Sequence, residues 1–169
     1  DLTTSSAYKV EVLSGASSTD WGSEAIGGAV NIVPKKGGED EIKLTGEFGS
    51  FETWKETAEV RTRELDLVLS RLDSRGFDAN DDYHNITGNL SYLFSPSDKL
   101  SMEVSGFYSE TEARLNDAPV IVDGRLIEDV DDPNDKREYS LFHGGLITKL
   151  ELREDIVLQN KTGFTESDR

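Results

Sequence analysis

The stretch NITGNLSYLFSPSDKLSMEVSGFYS, residues 85–109, carries two runs of alternating residues on either side of a short turn. In the first run Ile86, Leu90, Tyr92 and Phe94 share one face, and in the second Leu100, Met102, Val104 and Tyr108 do. Period-2 alternation marks a strand whose two faces meet different environments. Ser95-Pro96-Ser97-Asp98 between the runs is turn chemistry. The stretch therefore predicts an antiparallel hairpin with one apolar face.

The same pattern extends outward in both directions. EIKLTGEF (41–48) sets Ile42, Leu44 and Phe48 against Glu41, Lys43, Thr45 and Glu47. TWKETAEVRT (53–62) sets Trp54, Ala58 and Val60 against Lys55, Thr57, Glu59 and Arg61, with Glu56 breaking the apolar face. ELDLVLSRLD (64–73) alternates through Leu65, Leu67 and Leu69, then loses phase at Arg71-Leu72. REYSLFHGGLITKLEL (137–152) settles into Leu146, Leu150 and Leu152, and EDIVLQNKTGF (154–164) supplies Ile156, Leu158 and Phe164. About seven strands result, each near the ~9–11 residues of a tilted membrane-spanning strand. Strands of soluble sheets run to about 5 or 6 residues.

The connections are sorted by side. Gly49-Ser50-Phe51-Glu52, Arg63-Glu64, Ser95 to Asp98 and Arg153-Glu154 are short, whereas SRGFDANDDYH (74–84) and the acidic stretch 112–136 are long. If the first strand runs upward, both long loops fall on the upper side and the lower connections are all tight. Outer-membrane barrels have short turns on one side and longer loops on the other, while a β-sandwich gives no reason for such sorting. Barrels close on an even strand number, so about seven strands leave open edges. The expectation is a segment of a longer polypeptide.

Composition narrows the function. The chain of 169 residues carries 34 Asp+Glu against 18 Lys+Arg, a net charge of −16. With no basic run longer than Lys35-Lys36, it lacks the clustered cations that phosphate contacts need, so no nucleic-acid partner is expected. It has no cysteine, which excludes thiolate chemistry. No apolar stretch reaches the ~18 residues of a membrane helix, which leaves a β-barrel open because its strands alternate. No nucleophile elbow, phosphate loop or zinc signature is present, and the two histidines, His84 and His143, are isolated in sequence. The chain is not expected to be an enzyme.

Residues 1–39 have a different character. AYKVEVL and AIGGAVNIV read as short strands flanking the glycine- and serine-rich SGASSTDWGSE, and Pro34 with KKGGED reads as a linker into the strand series. The order Glu11-Val12-Leu13, Gly15-Ala16-Ser17, Trp21-Gly22-Ser23, Ala25-Ile26-Gly27-Gly28, Asn31-Ile32, Lys35-Lys36 resembles the C-terminal end of the plug domain of TonB-dependent outer-membrane receptors, over roughly 27 residues. That family commonly has Arg-Gly-Pro where Ser14-Gly15-Ala16 stands, and tyrosine where Trp21 stands. The resemblance implies an all-β fold: the end of a small plug (1–39), then the first strands of an antiparallel up-and-down transmembrane barrel (40–169).

It also implies a role. Such receptors take up a scarce ligand (an iron–siderophore complex, haem, cobalamin or an oligosaccharide) across the outer membrane of a Gram-negative bacterium. The partners implied are outer-membrane lipid, the ligand, and the inner-membrane energy-coupling protein TonB, which contacts a segment outside this chain. Glu11, Gly15, Gly22, Gly27, Gly28 and Asn31 become structural plug residues, with the glycines serving tight turns and close packing. Lys43, Glu47, Lys55, Glu59 and Arg61 become lumen-facing candidates. The carboxylates Asp78, Asp81 and Asp82 invite a calcium reading, since some related receptors bind calcium in early extracellular loops. Their spacing does not match the calcium-loop pattern, and a solvated, mutually repelling loop is the expected state. The alternative to a receptor is a soluble extracellular β-sandwich or adhesion module, in which residues 40–169 fold alone in water.

Overall fold

A computed structural model describes residues 7–15, 28–34, 39–77, 81–114, 120–122, 125–127 and 136–168. Every regular element among them is a strand: β1 (Ala7–Ser14), β2 (Gly28–Pro34), β3 (Glu41–Gly49), β4 (Thr53–Arg61), β5 (Leu65–Ser74), β6 (Tyr83–Ser97), β7 (Leu100–Arg114), β8 (Val120–Val122), β9 (Arg125–Ile127), β10 (Lys136–Arg153) and β11 (Ile156–Asp168). Seven form one antiparallel sheet in the order β11-β10-β7-β6-β5-β4-β3. Once β8 and β9 are set aside, each strand pairs with its neighbours in the chain, which makes the sheet an up-and-down meander. The all-β class, the meander and the seven strands expected of residues 40–169 are all observed.

β1 and β2 form a separate antiparallel pair. Their register sets Glu11 opposite Asn31, Val12 opposite Val30 and Ser14 opposite Gly28, and a left-handed Gly15 (φ 100°) follows β1. Gly22 and Gly27 lie outside the described residues.

Two features depart from the sequence expectation. The stretch 112–136 is not all loop: β7 continues to Arg114, and Val120–Val122 pairs with Arg125–Ile127 as a small hairpin. The Asp123-Gly124 step between those two runs is a strong short-range hairpin signal. The alternation of β5 is also never lost. Arg71 stays on the face of Leu65, Leu67 and Leu69, opposite Glu56 and Ile86, and Leu72 stays on the other. A charge on the apolar face mimics a slip of phase.

The β3–β4 turn needs backbone that its residues do not favour. Phe51 (φ 60°) and Glu52 (φ 51°) both sit in the left-handed region, and Thr53 N–H donates to the Ser50 carbonyl at 3.2 Å. That is the primed geometry matching strand twist, ordinarily filled by Asn-Gly. The β5–β6 connection holds it in place. Arg75 N–H donates to the Phe51 carbonyl at 3.0 Å, the Arg75 guanidinium reaches the Glu52 carboxylate at 3.1 Å, and the Phe77 ring meets Phe51 edge-on at 5.7 Å.

Candidate functional site

Opposed residues of a ladder share a face, so the register sorts every side chain of the sheet. One rung crosses all seven strands through Ile42, Val60, Leu67, Leu90, Gly106, Gly144 and Phe164. The next rung, on the opposite face, is Lys43, Glu59, Val68, Asn89, Phe107, His143 and Thr165. The first face is apolar and the second largely polar.

Burial runs against the order of a soluble protein. All eight buried residues among those described (Thr57, Glu59, Asp66, Val68, Ser70, Asn85, Thr87 and Ser109) stand on the polar face, and only Val68 is apolar. Ile42, Leu44, Phe48, Leu69, Leu90, Val104, Phe142, Leu158 and Phe164 all stand exposed on the apolar face, several above 70 %. A water-soluble sheet with one buried face hides its apolar side. Here the polar side is the hidden one.

The apolar window also drifts across the sheet. On β3 it runs from Ile42 to Phe48, and on β11 from Ile156 to Phe164. Ile42 and Phe164 share the rung of Leu67, so the bottom of one window is level with the top of the other. The upper limit moves from the rung of Asp73 (Phe48 and Trp54) down to that of Leu67, six residues along β5. At ~3.4 Å per residue and ~4.8 Å per strand spacing, that is about 20 Å over about 29 Å, so a level band requires strands tilted by roughly 35°.

On the polar face the five charged side chains singled out in the sequence fall together. Lys43 stands opposite Glu59, Glu47 opposite Lys55, and Glu41 opposite Arg61. Lys43 Nζ is 3.5 Å from Glu59 Oε1, and Lys55 Nζ is 4.0 Å from Glu47 Oε2. Arg61 is the hub of the cluster. It contacts Glu41 at 3.0 Å, Asp66 at 3.2 Å and Glu59 at 3.7 Å, with the Arg61, Glu59 and Asp66 side chains 14 %, 9 % and 10 % exposed. Asp66 escaped the sequence reading. Alternation puts it on this face, but only the β4–β5 register brings it to Arg61.

Between the Lys43–Glu59 pair and the Glu47–Lys55 pair runs a hydroxyl rung of Thr45, Thr57, Ser70, Thr87 and Ser109. The Thr57 and Ser70 hydroxyls are hydrogen-bonded at 3.2 Å. Asn85 donates its amide to the Glu110 carbonyl at 3.1 Å and to the Thr111 hydroxyl at 2.8 Å. Thr87 Oγ1 is buried with no hydrogen-bond partner, a state that costs about 1–3 kcal/mol.

The upper end of the sheet is charged. His84 lies within β6, not in a loop, and its Nδ1 is 2.6 Å from Asp73 Oδ1. Asp73 also receives Arg71 Nε at 2.7 Å. A cavity of about 350 Å³ opens among these groups, with Arg75, Asp82, Glu112 and Arg114 on its lining. Of the calcium candidates, Asp78 lies outside the described residues. Asp81 accepts from Phe77 N–H at 3.1 Å, and Asp82 faces Arg114 at 3.5 Å. Among the described residues no three His, Asp or Glu side chains are grouped to hold a metal ion, and no helix is long and apolar enough to cross a membrane. His143 donates to or accepts from the Thr165 hydroxyl at 2.8 Å.

No family model matches the chain, and no curated protein matches it either.

Proposed function

We propose that the seven-stranded sheet is part of the wall of a transmembrane β-barrel, with its apolar face in lipid and its polar face toward the lumen. One observation carries this reading: the apolar face is the exposed one and the polar face the buried one. Burial of a polar side is what a sheet curled around a polar lumen produces. The diagonal apolar window supports it. A tilt of roughly 35° lies at the edge of the 35–45° of such barrels. The apolar runs Ile86–Phe94 and Leu100–Tyr108 each cover about 27 Å of strand, about 22 Å after tilting, close to the ~25 Å apolar belt.

Within that class, the particular protein we infer is a TonB-dependent outer-membrane receptor. Residues 1–39 are then the end of its plug and residues 40–169 its first barrel strands. The support is the order of motifs from Glu11 to Lys36, together with the short turns below and longer loops above. Its work is uptake of a scarce ligand such as an iron–siderophore complex, haem, cobalamin or an oligosaccharide, driven by TonB through a segment outside this chain and without catalytic chemistry. In this arrangement the Arg61 cluster and the hydroxyl rung face the plug. Calcium is not needed for the wall; it would belong to the loop of Asp78, Asp81 and Asp82.

The test is the behaviour of two polypeptides. Residues 40–169 alone are expected to aggregate in water, and the complete polypeptide is expected to fold in detergent or vesicles. A monodisperse, β-structured 40–169 fragment in plain buffer would instead establish the soluble sandwich. Uptake of the ligand by intact cells, lost on deletion of the coupling protein, tests the receptor assignment separately.

A further inference from the structure

Lys99 and Lys149 differ from the cations of the Arg61 cluster. Lys43, Lys55 and Arg61 each meet a carboxylate within 4.0 Å. Among the described residues, no carboxylate or other polar partner reaches Lys99 or Lys149. The two are far apart in sequence, so no basic run announces them, and the fold brings them to one corner. Lys99 sits in the β6–β7 turn, its carbonyl accepting from Glu151 N–H at 2.8 Å. Lys149 stands on the polar face between Ser101 and Gln159. Both line a cavity of about 430 Å³, together with Ser95, Ser97 and Ser101.

Two irregularities of pairing shape this corner. β6 sets Ser95 and Pro96 against Ser101 alone, and β10 carries Leu152 as an extra residue between the pairs Glu151–Val157 and Arg153–Ile156. Bulges gather at barrel rims and next to active sites, where they re-aim side chains. The corner lies on the short-turn side, one rung from Leu100, Leu150 and Leu158 of the apolar face. The three serine hydroxyls are also without hydrogen bonds among the described residues. Two unpaired ammonium groups and three free hydroxyls are donors for an oxyanion. Asp98 and Glu151 line the same cavity and limit the charge it accepts, because each further negative charge on the ligand is repelled by both carboxylates. A tetrahedral oxyanion with a single charge fits these donors, and a dianion fits them worse.

We propose that this cavity binds a phosphodiester, its unesterified oxygens on Lys99, Lys149 and the serine hydroxyls. The site goes beyond the membrane-wall reading, which bears only on the source of the group. On that reading the source is either a soluble phosphodiester in the periplasm or the headgroup of a phospholipid in the leaflet beside the short turns.

Amine-reactive labelling of the complete polypeptide, read lysine by lysine by mass spectrometry, tests it. In a maltoside detergent, which carries no phosphate, glycerophosphoglycerol should protect Lys99 and Lys149, with half-protection at about 1 mM, the scale of two charge-assisted hydrogen bonds. Lys136, at the other end of the sheet, should keep its reactivity. Glycerol 3-phosphate, a dianion, should need a higher concentration. Glu151→Gln should lower the half-protection concentration about fivefold, the scale of one exposed charge pair, and Lys149→Gln should remove the protection of Lys99. In phosphatidylcholine nanodiscs, protection without any added phosphodiester assigns the site to the lipid headgroup, and protection only on addition assigns it to the soluble group. No protection from either source, equal protection of Lys136, or tighter binding of glycerol 3-phosphate overturns the proposal. The unmodified protein alone decides these outcomes, so a variant that fails to fold does not block the result. Failure here is distinct from failure of the membrane reading: a polypeptide that needs detergent but keeps both lysines reactive defeats only the site, whereas one monodisperse without detergent defeats the wall and leaves the lysine result standing.

Discussion

Leu90 and Asn89 are consecutive residues of β6 with opposite surroundings. Leu90 is 40 % exposed on a rung of Ile42, Val60 and Leu67. Asn89 is partly covered on a rung with Glu59 and Val68. Across β4 to β7 the enclosed positions are almost all polar while apolar residues stand outward, the reverse of a soluble sandwich, and on the edge strands β3 and β11 nearly every residue is exposed. The difference teaches that hydrophobicity alone does not locate the inside of this sheet; burial and polarity have to be read together.

Substitutions can break or sharpen that contrast, all of them measured by urea unfolding of the complete polypeptide in lipid vesicles. The largest effect is expected from moving a charge into the apolar belt. Leu90→Arg should cost about 2–4 kcal/mol, the depth-dependent range for arginine facing lipid, while Asn89→Arg, one residue away, should cost far less. Equal costs at the two positions would end the distinction between faces.

Removal of the hub comes next. Arg61→Met strands Asp66 and leaves Glu59 with Lys43 alone, both carboxylates being largely enclosed, and a loss of about 2 kcal/mol is expected, below the 3–5 kcal/mol of a fully buried pair because Glu59 keeps that partner. Arg75→Ala, whose partner Glu52 is 68 % exposed, should change stability by less than about 0.5 kcal/mol. If the two arginines cost the same, the polar face is not enclosed.

Two smaller effects should be stabilising. Replacing Phe51-Glu52 by Asn-Gly relieves left-handed backbone at both positions and should gain about 1 kcal/mol. Thr87→Val removes the buried hydroxyl that lacks a partner without changing shape, and should gain up to about 1 kcal/mol. A loss at Thr87 would mean that the hydroxyl has a partner in the intact protein.

Much of this architecture was legible in the residues because alternation is local. The apolar sets of β6 and β7 follow from spacing alone, as does the common face of Lys43, Lys55 and Arg61, whereas the turn expected at Ser95 to Asp98 falls at Asp98-Lys99 because β6 continues to Ser97 through an irregularity in its pairing after Phe94. What escaped depends on pairing. Asp66 reaches Arg61, and His84 reaches Asp73, only through a register that no single strand reveals. The Phe51-Glu52 turn carries no glycine or asparagine to announce its left-handed backbone, which tertiary contacts from Arg75 and Phe77 hold in place. Arg71 reads in the sequence as a break in phase because a charge on an apolar face is indistinguishable, within one strand, from a slipped register. The drift of the apolar window, the feature closest to function, needs all seven strands aligned before it can be seen.

The central claim is that the two faces of this sheet meet different media. This chain has no cysteine of its own, so single cysteines at Leu67, Leu90 and Val104 on one face, and at Val68, Asn89 and Ser105 on the other, can each carry an environment-sensitive fluorophore. In the complete polypeptide in vesicles, the first three labels should emit at short wavelength and be quenched by nitroxides on the acyl chains, and the last three should escape that quenching. Alternation of lipid quenching with residue parity is the predicted result; equal quenching on both faces, or none on either, would contradict it.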